Sequence, residues 1–244
     1  MKRLIATMLM LSGLGAVVFA ETTTAPSGER PRENTRLVEP VRPFVQRVTE
    51  SFDSLPTGRQ QLLDQIAKHI VATSNRDGHV QLNFICTHNS RRSQFGQVWC
   101  QIAAHHYEVP GVNAFSGGTE TTACNIRTVR ALRRSGLSVV ATGEKANPVY
   151  LVQYADSVAP LKCFSKLYED AGNASTPFIA MMCCSDADRN CPVVSGSQGR
   201  FALHYEDPKV ADRTPQENER YNERCFQIAQ EMFYLMSQVA QMSR

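Results

Sequence analysis

The chain has 244 residues, of which 42% are hydrophobic and 20% are charged, and its formal net charge is +3. This length and composition suit one globular domain with extensions. The small net charge and the scattered basic residues argue against a nucleic-acid-binding protein.

The first 20 residues have the composition of an export signal. Lys2 and Arg3 precede an apolar run from Leu4 to Val18, and small residues stand at Val18 and Ala20, the two positions that a signal peptidase reads. We therefore predict cleavage after Ala20 and a periplasmic or otherwise extracytoplasmic location. The alternative is an uncleaved membrane anchor, although the run is shorter than the roughly 20 residues that span a bilayer.

Two segments separate this signal from the main domain. Residues 21–38 are rich in Thr, Pro, Glu and Arg, which predicts a disordered linker. Residues 39–75 predict a pair of helices with a break at 55–58, because apolar residues recur there at helical spacing. We expect these helices to pack against the domain or cover its pocket rather than carry catalysis.

The segment with the clearest chemistry is 85–93, Ile-Cys-Thr-His-Asn-Ser-Arg-Arg-Ser, after an apolar run that begins at Val80. A period-two run, a polar loop and a helical pattern predict that Cys86 lies between a strand and a helix. Free backbone N–H groups and the helix dipole favour an oxyanion there. The five residues between Cys86 and Arg92 allow the loop to wrap the anion, with the guanidinium binding two of its oxygens. The positive end of the helix dipole and the nearby arginine also favour the thiolate form of Cys86.

The following residues alternate between helices and strands. We predict a helix at 93–107, a strand at 112–116 that ends in a glycine-rich turn, a helix at about 125–135, and strands at 137–141 and 149–154. This alternation predicts a parallel sheet with helices on both faces, and ligands at the carboxyl ends of its strands. Cys86 lies at such an end.

A second cysteine cluster follows a predicted buried strand that is bounded by Pro177 and Ser185. Cys183, Cys184 and Cys191 lie within nine residues, and a loop or short helix joins the last two. A structural disulfide from Cys191 to Cys183 or Cys184 would be ordinary in an exported protein. A zinc site with His204 fits no common ligand spacing, so we predict no metal. The other cysteines are interpreted as packed or paired: Cys100, Cys124, Cys163 and Cys225.

The last motif precedes a long helix. Alternation through Phe201, Leu203 and Tyr205 predicts a final strand, and Pro208 ends it with Asp207 at the carboxyl edge of the sheet. Residues 216–242 predict an amphipathic helix. Its expected core positions are Tyr221, Cys225, Ile228, Phe233 and Met236.

Together these motifs resemble the low-molecular-weight protein tyrosine phosphatases and the thioredoxin-coupled arsenate reductases, which share one fold. The family loop is Cys, five residues, then Arg-Ser, matched here by Cys86, Arg92 and Ser93, with Asn89 inside it. The family commonly has Gly at the position of His88 and often Cys at that of Arg91. In the reductases a strand ends in Cys and Cys-Pro follows, as in Cys184 and Cys191-Pro192, and the family also carries an Asp-Pro like that at 207–208.

The resemblance covers roughly residues 80–244. It implies a flavodoxin-like α/β three-layer sandwich over 76–244, with a central parallel sheet of four or five strands. It also implies that the loop binds a small oxyanion, arsenate or phosphate. The candidate oxyanion-binding residues beside the catalytic arginine are Thr87, His88, Asn89, Ser90, Arg91 and Ser93.

The resemblance favours reduction of arsenate to arsenite through three cysteines. Cys86 is then the nucleophile, Cys184 the second thiol and Cys191 the resolving one, with a thioredoxin-like protein as reductant and no bound cofactor. The alternative is a phosphotyrosine phosphatase that forms a phosphocysteine on Cys86, in which Asp207 acts as acid and then base. As general acid, Asp207 needs a raised pKa or a partner that holds its proton. A further alternative is an exported, inactive anion-binding module whose N-terminal helices bind a partner.

Overall fold

The computed structural model describes residues 37–170, 172–190 and 193–244. The predicted signal peptide, nearly all of the predicted linker, and the pair Cys191 and Pro192 lie outside the described residues. In the described part of the chain, no helix combines the length and the hydropathy that crossing a membrane requires.

The main sheet consists of four parallel strands: β1 (Val80–Cys86), β2 (Val112–Gly118), β6 (Phe178–Met182) and β7 (Ser197–Ala202). Their order across the sheet is β2-β1-β6-β7. Every residue of the two central strands, β1 and β6, is buried. Burial on both faces explains the continuous apolar sequence of β6, whereas β1 also buries the polar Gln81 and Asn83.

The described residues contain six α-helices: α1 (Arg42–Thr49), α2 (Thr57–Asp77), α3 (Arg92–His106), α4 (Ile126–Arg134), α5 (Ser185–Asn190) and α6 (Glu217–Met242). α3 contacts β1 and β2, and it packs along α6, which also contacts α1, α2 and α4. The predicted core positions of α6 are all buried.

Two of the predicted strands lie outside the main sheet, which differs from the predicted arrangement. The strands predicted at 137–141 and 149–154 exist as β3 (Ser138–Thr142) and β4 (Val149–Gln153), but with β5 (Leu161–Cys163) they form an antiparallel sheet of their own. The six residues between β3 and β4 suit a hairpin, whereas a parallel crossover needs a dozen or more. Exposed positions in β3 also show that one face of this sheet is open.

The N-terminal helices predicted at 39–75 are present and belong to the core. Phe44 of α1 stacks on Trp99 of α3 with ring centroids 4.8 Å apart, and α2 buries Leu63, Ile66 and Ile70 completely. Leu37, which was assigned to the linker, is instead buried and forms a bridge with Ala155. The extension is therefore packed into the domain from Leu37 onward.

Candidate active site

The loop at 87–91 joins the end of β1 to the start of α3, as the sequence predicts. β2 ends beside it, because Cys86 pairs with Gly118 in the parallel register. Asn89 has φ 45°, a left-handed conformation that asparagine tolerates better than most residues. The loop therefore turns tightly at the carboxyl edge of the sheet, with Cys86 at its base.

The thiol of Cys86 has a hydroxyl neighbour. Its Sγ lies 3.0 Å from Oγ of Ser93, and that oxygen accepts a hydrogen bond of 2.9 Å from Nδ2 of Asn89. Since the amide supplies one hydrogen, the hydroxyl proton of Ser93 is free to point at the sulfur. A donor in this position stabilises a thiolate, the reactive form of a cysteine nucleophile.

The side chains of the loop bind groups outside the loop. Ser90 Oγ donates to the Ala123 carbonyl at 2.7 Å, and His88 Nε2 lies 3.4 Å from the Glu120 carboxylate. Asn89 Oδ1 accepts from the backbone N–H of Lys166. The backbone N–H groups of the loop and of the first turn of α3 thus become the main candidates for holding an anion.

Both loop arginines contact Asp207. Nη2 of Arg92 forms an ion pair with Asp207 at 2.8 Å and its Nη1 donates to the Tyr205 carbonyl at 3.2 Å, while Arg91 Nε donates to Asp207 at 2.8 Å. Among the described residues, Nε of Arg92 is a buried donor without a hydrogen-bond partner. An unpaired buried donor on a guanidinium is a group that an oxyanion would satisfy.

Two arginines set the charge state of Asp207. Burial alone would raise the pKa of this carboxyl, but Arg92 and Arg91 outweigh it and hold the pKa below its usual value. Its Oδ1 also accepts from the backbone N–H of Lys209. Of the two conditions for a general acid, a raised pKa is therefore not met in the unliganded site, because both neighbouring cations favour the carboxylate.

This lowered pKa predicts an acid-sensitive contribution to stability. An aspartate whose pKa is depressed by folding stabilises the protein above its unfolded pKa of about 4, and the contribution is lost as the pH falls through the folded value. We expect Asp207→Asn to lower the free energy of unfolding at neutral pH, and the difference from wild type to shrink below about pH 4. Urea unfolding of both proteins at a series of acidic pH values measures this difference in the free energy of unfolding. Asp53→Asn, at an exposed position, controls for loss of a carboxylate, and a pH-independent difference at Asp207 would contradict the assignment.

Of the two adjacent cysteines, Cys184 faces the loop. Its Sγ lies 3.5 Å from Oγ1 of Thr87 and accepts from the backbone N–H of Ala187 at 3.4 Å. Cys183 contacts the Met181 carbonyl instead. Burial, followed by the nearby Cys86 and Cys184, raises its pKa well above the usual range. A thiol with so high a pKa is a poor nucleophile, so Cys184 is the better redox candidate.

Cys100, Cys124, Cys163 and Cys225 are packed in the core and unpaired. Cys191 lies outside the described residues, so its predicted disulfide or resolving role stays a prediction. All the described cysteines are free and buried, and burial raises the pKa of Cys163 and of Cys225 to about 12 each. Within the described ranges no three His, Cys, Asp or Glu residues are grouped to hold a metal ion.

Two residues that sequence reasoning missed support the loop from the segment after β5. Ser165 Oγ donates to the His88 carbonyl at 2.8 Å, and Lys166 N–H binds Asn89 at 3.0 Å. The Lys166 carbonyl accepts from Gly118 at 2.8 Å. Lys166 acts through its backbone, which any residue type supplies, so the sequence carries no signal for it.

Comparison with known proteins gives one consistent relationship. No protein-family model matches the chain. The chain is similar to an arsenate reductase of Staphylococcus epidermidis, with 26% identity over 126 residues, which is 51% of this chain and 76% of that protein. An arsenate reductase of Staphylococcus aureus matches with the same identity and coverage.

The chain is less similar to the solved structures than to these two sequences. A thioredoxin-dependent arsenate reductase of Corynebacterium glutamicum covers 84% of this chain and 98% of its own at a TM-score of 0.37 and 16% identity. A low-molecular-weight protein tyrosine phosphatase of T. tengcongensis covers 65% and 98% at a TM-score of 0.43 and 14% identity. The relationship is accordingly carried by the sequence similarity to the arsenate reductases.

Proposed function

We propose that this chain, a relative of the arsenate reductases, reduces arsenate to arsenite with Cys86 as the nucleophile. The observation that carries this proposal is the pair of thiols around one oxyanion loop. Cys86 forms the base of the loop, Arg92 closes it, and Cys184 contacts Thr87 on the same loop.

The first step forms a bond between sulfur and arsenic. The Cys86 thiolate attacks arsenate, an oxygen leaves as water after it is protonated, and a thioarsenate ester remains. Arg92 and the backbone N–H groups of the loop stabilise the charge on the arsenate oxygens. Binding of the anion also offsets the charge of Arg92, which raises the pKa of Asp207 and allows it to deliver the proton.

The second step is the reduction. The Cys184 thiolate attacks the Cys86 sulfur, a disulfide forms between them, and the electron pair of the sulfur–arsenic bond stays on arsenic, which leaves as arsenite. Cys191 then attacks Cys184, so that the thiol of Cys86 is released and a disulfide joins Cys184 to Cys191. An external dithiol protein of the thioredoxin type reduces this disulfide. If the predicted signal directs export, this donor has to act in the same extracytoplasmic compartment.

A second candidate activity is hydrolysis of a phosphomonoester such as phosphotyrosine. The observation that favours it is the ion pair between Arg92 and Asp207 at 2.8 Å, because these two groups and Cys86 are the three that this reaction needs. Arg92 would stabilise the transferring phosphoryl group, and Asp207 would protonate the leaving oxygen.

A substitution at Cys184 distinguishes arsenate reduction from phosphomonoester hydrolysis. We expect Cys184→Ser to abolish arsenite production, because no sulfur remains to attack Cys86, while hydrolysis of p-nitrophenyl phosphate keeps its wild-type rate. Cys183→Ala is the matched control at the adjacent thiol and should preserve both activities. The assay uses purified protein with arsenate and a thioredoxin recycling system beside p-nitrophenyl phosphate. Arsenite production that survives Cys184→Ser would contradict the relay, and phosphate release without arsenite would favour the phosphatase.

A further inference from the structure

A buried polar cluster connects the N-terminal helices to the segment that carries Asp207. Its members are Arg59 from α2, Glu231 from α6 and Tyr205. Glu231 is 1% exposed, and its Oε2 accepts from Arg59 Nη2 and from the Tyr205 hydroxyl, both at 2.7 Å. The guanidinium of Arg59 lies over the Tyr205 ring at 5.0 Å from its centroid. The aromatic side chain is thus fixed at its ring and at its hydroxyl.

The backbone of Tyr205 continues from this cluster into the active site. Its carbonyl accepts from Arg92 Nη1 at 3.2 Å, and its N–H donates to the Cys183 carbonyl at 3.1 Å. Asp207, two residues further on, binds the other terminal nitrogen of Arg92. A displacement of the Tyr205 carbonyl would therefore disturb the guanidinium at both of these contacts.

The cluster is rigid for electrostatic reasons. The Glu231 carboxylate is buried away from water, so its hydrogen bonds to Arg59 and to the Tyr205 hydroxyl are strong. Loss of either partner would leave a buried carboxylate oxygen without a hydrogen bond that it needs. Burial, followed by the charge of Glu231, raises the pKa of Tyr205 well above its usual value. The hydroxyl therefore remains a donor throughout the working pH range. Apolar residues of the same volume could pack this space equally well, so packing alone does not account for these polar groups.

We propose that Arg59, Glu231 and Tyr205 are positioning residues for the oxyanion site: they fix the Tyr205 carbonyl, which orients the guanidinium of Arg92 toward the anion and toward Asp207. The N-terminal helices thereby contribute to the active site through Arg59. This role rests on the proposed oxyanion chemistry, and it is the same whether the anion is reduced or hydrolysed.

The first test is binding of inorganic phosphate, measured by isothermal titration calorimetry on the whole chain. Tyr205→Phe removes only the hydroxyl that Glu231 holds. We expect its Kd for phosphate to rise about tenfold, the lower end of the loss found when the partner that orients a metal-binding side chain is removed. Tyr234→Phe is the matched control, since Tyr234 on α6 also donates to a carboxylate, Asp64 of α2, at 3.1 Å and makes no contact with Arg92 or Asp207. Its Kd should stay within about twofold of wild type.

The second test separates positioning from a general loss of structure. If Arg92 turns away, Asp207 loses a favourable charge and its pKa rises. The alkaline limb of the pH profile of kcat/KM, which reports a group that has to be protonated, should therefore shift to higher pH in Tyr205→Phe and stay in place in Tyr234→Phe. Arg59→Lys, which keeps the charge but loses the fork geometry, should shift the limb in the same direction. It provides the comparison if Tyr205→Phe does not fold.

The outcomes are distinct. Folded Tyr205→Phe and Arg59→Lys variants with wild-type phosphate affinity and an unshifted profile would overturn the positioning role alone. If Tyr205→Phe and Arg59→Lys bind phosphate more weakly than wild type but the wild-type protein makes no arsenite, the positioning role would be supported and the reductase activity overturned. Wild-type protein that binds no phosphate would overturn both.

Discussion

Arg92→Lys is expected to lower kcat/KM roughly 100- to 1000-fold, the range found when one preorganised oxyanion donor is lost. The guanidinium holds the Tyr205 carbonyl and Asp207 with its two terminal nitrogens and keeps Nε unpaired. A lysine ammonium is a single point charge and cannot form the planar fork that grips two anion oxygens while keeping both protein contacts.

Arg91→Lys is the matched control for that experiment. Arg91 binds the same carboxylate through Nε at 2.8 Å, but it leaves no buried nitrogen without a partner. We expect a reduction of about tenfold or less, in line with a group that supports the site without gripping the anion. Steady-state kinetics on arsenate and on p-nitrophenyl phosphate measure both variants. Equal losses for the two lysine variants would show that total positive charge, and not the geometry of Arg92, governs the site.

Gly118→Ala is expected to inactivate the protein and to destabilise it. An added Cβ would lie 2.5 Å from the Glu120 carbonyl oxygen, 2.8 Å from that of Thr87 and 2.9 Å from the Asn89 nitrogen. All three are backbone atoms, so the loop itself would have to move. Overpacking of this kind costs about 1–3 kcal/mol, and the displacement falls on the segment proposed to receive the oxyanion.

Gly58→Ala is the control for this substitution. A Cβ at Gly58 meets nothing within 4 Å, and Gly58 lies in the first turn of α2, where alanine is the better helix former. We expect this change to stabilise the protein by about 0.4–1 kcal/mol and to leave turnover unchanged. Thermal unfolding and the two activity assays measure both glycine variants. A Gly118→Ala protein with wild-type activity would contradict the close packing of β2 on the loop.

Local patterns in the sequence predicted the centre of this site. The period-two run that ends at Cys86, the polar loop and the helical spacing after Arg92 each depend on near neighbours in the chain, and the structure has the same succession. Two details beside this centre differ from the prediction. Gly117 and Gly118, predicted as a turn, are the last two residues of β2. The final strand ends at Ala202, so Pro208 does not end it and Asp207 lies five residues beyond it.

The features that the sequence did not predict depend on contacts between distant residues. The strands at β3 and β4 were predicted, but the sheet to which they belong depends on their partners, which a single-strand pattern does not specify. The lowered pKa of Asp207 depends on Arg91 and Arg92, more than 100 positions earlier in the chain. Glu231 is buried in the middle of α6, where charged residues are usually exposed, and the approach of Arg59 and Tyr205 makes this burial tolerable.

α6 follows α1, α2 and α3 in the chain, and this order has a consequence for folding during synthesis. Phe226 packs edge-on against Phe44 of α1, Tyr234 binds Asp64 of α2, and Cys225 accepts from Trp99 of α3. The three earlier helices leave the ribosome before α6 has been made, and such long-range closure is slow. Nascent chains that stop before Glu217 would thus expose apolar surface of the earlier helices and be prone to aggregate, so correct folding of these helices has to wait for α6.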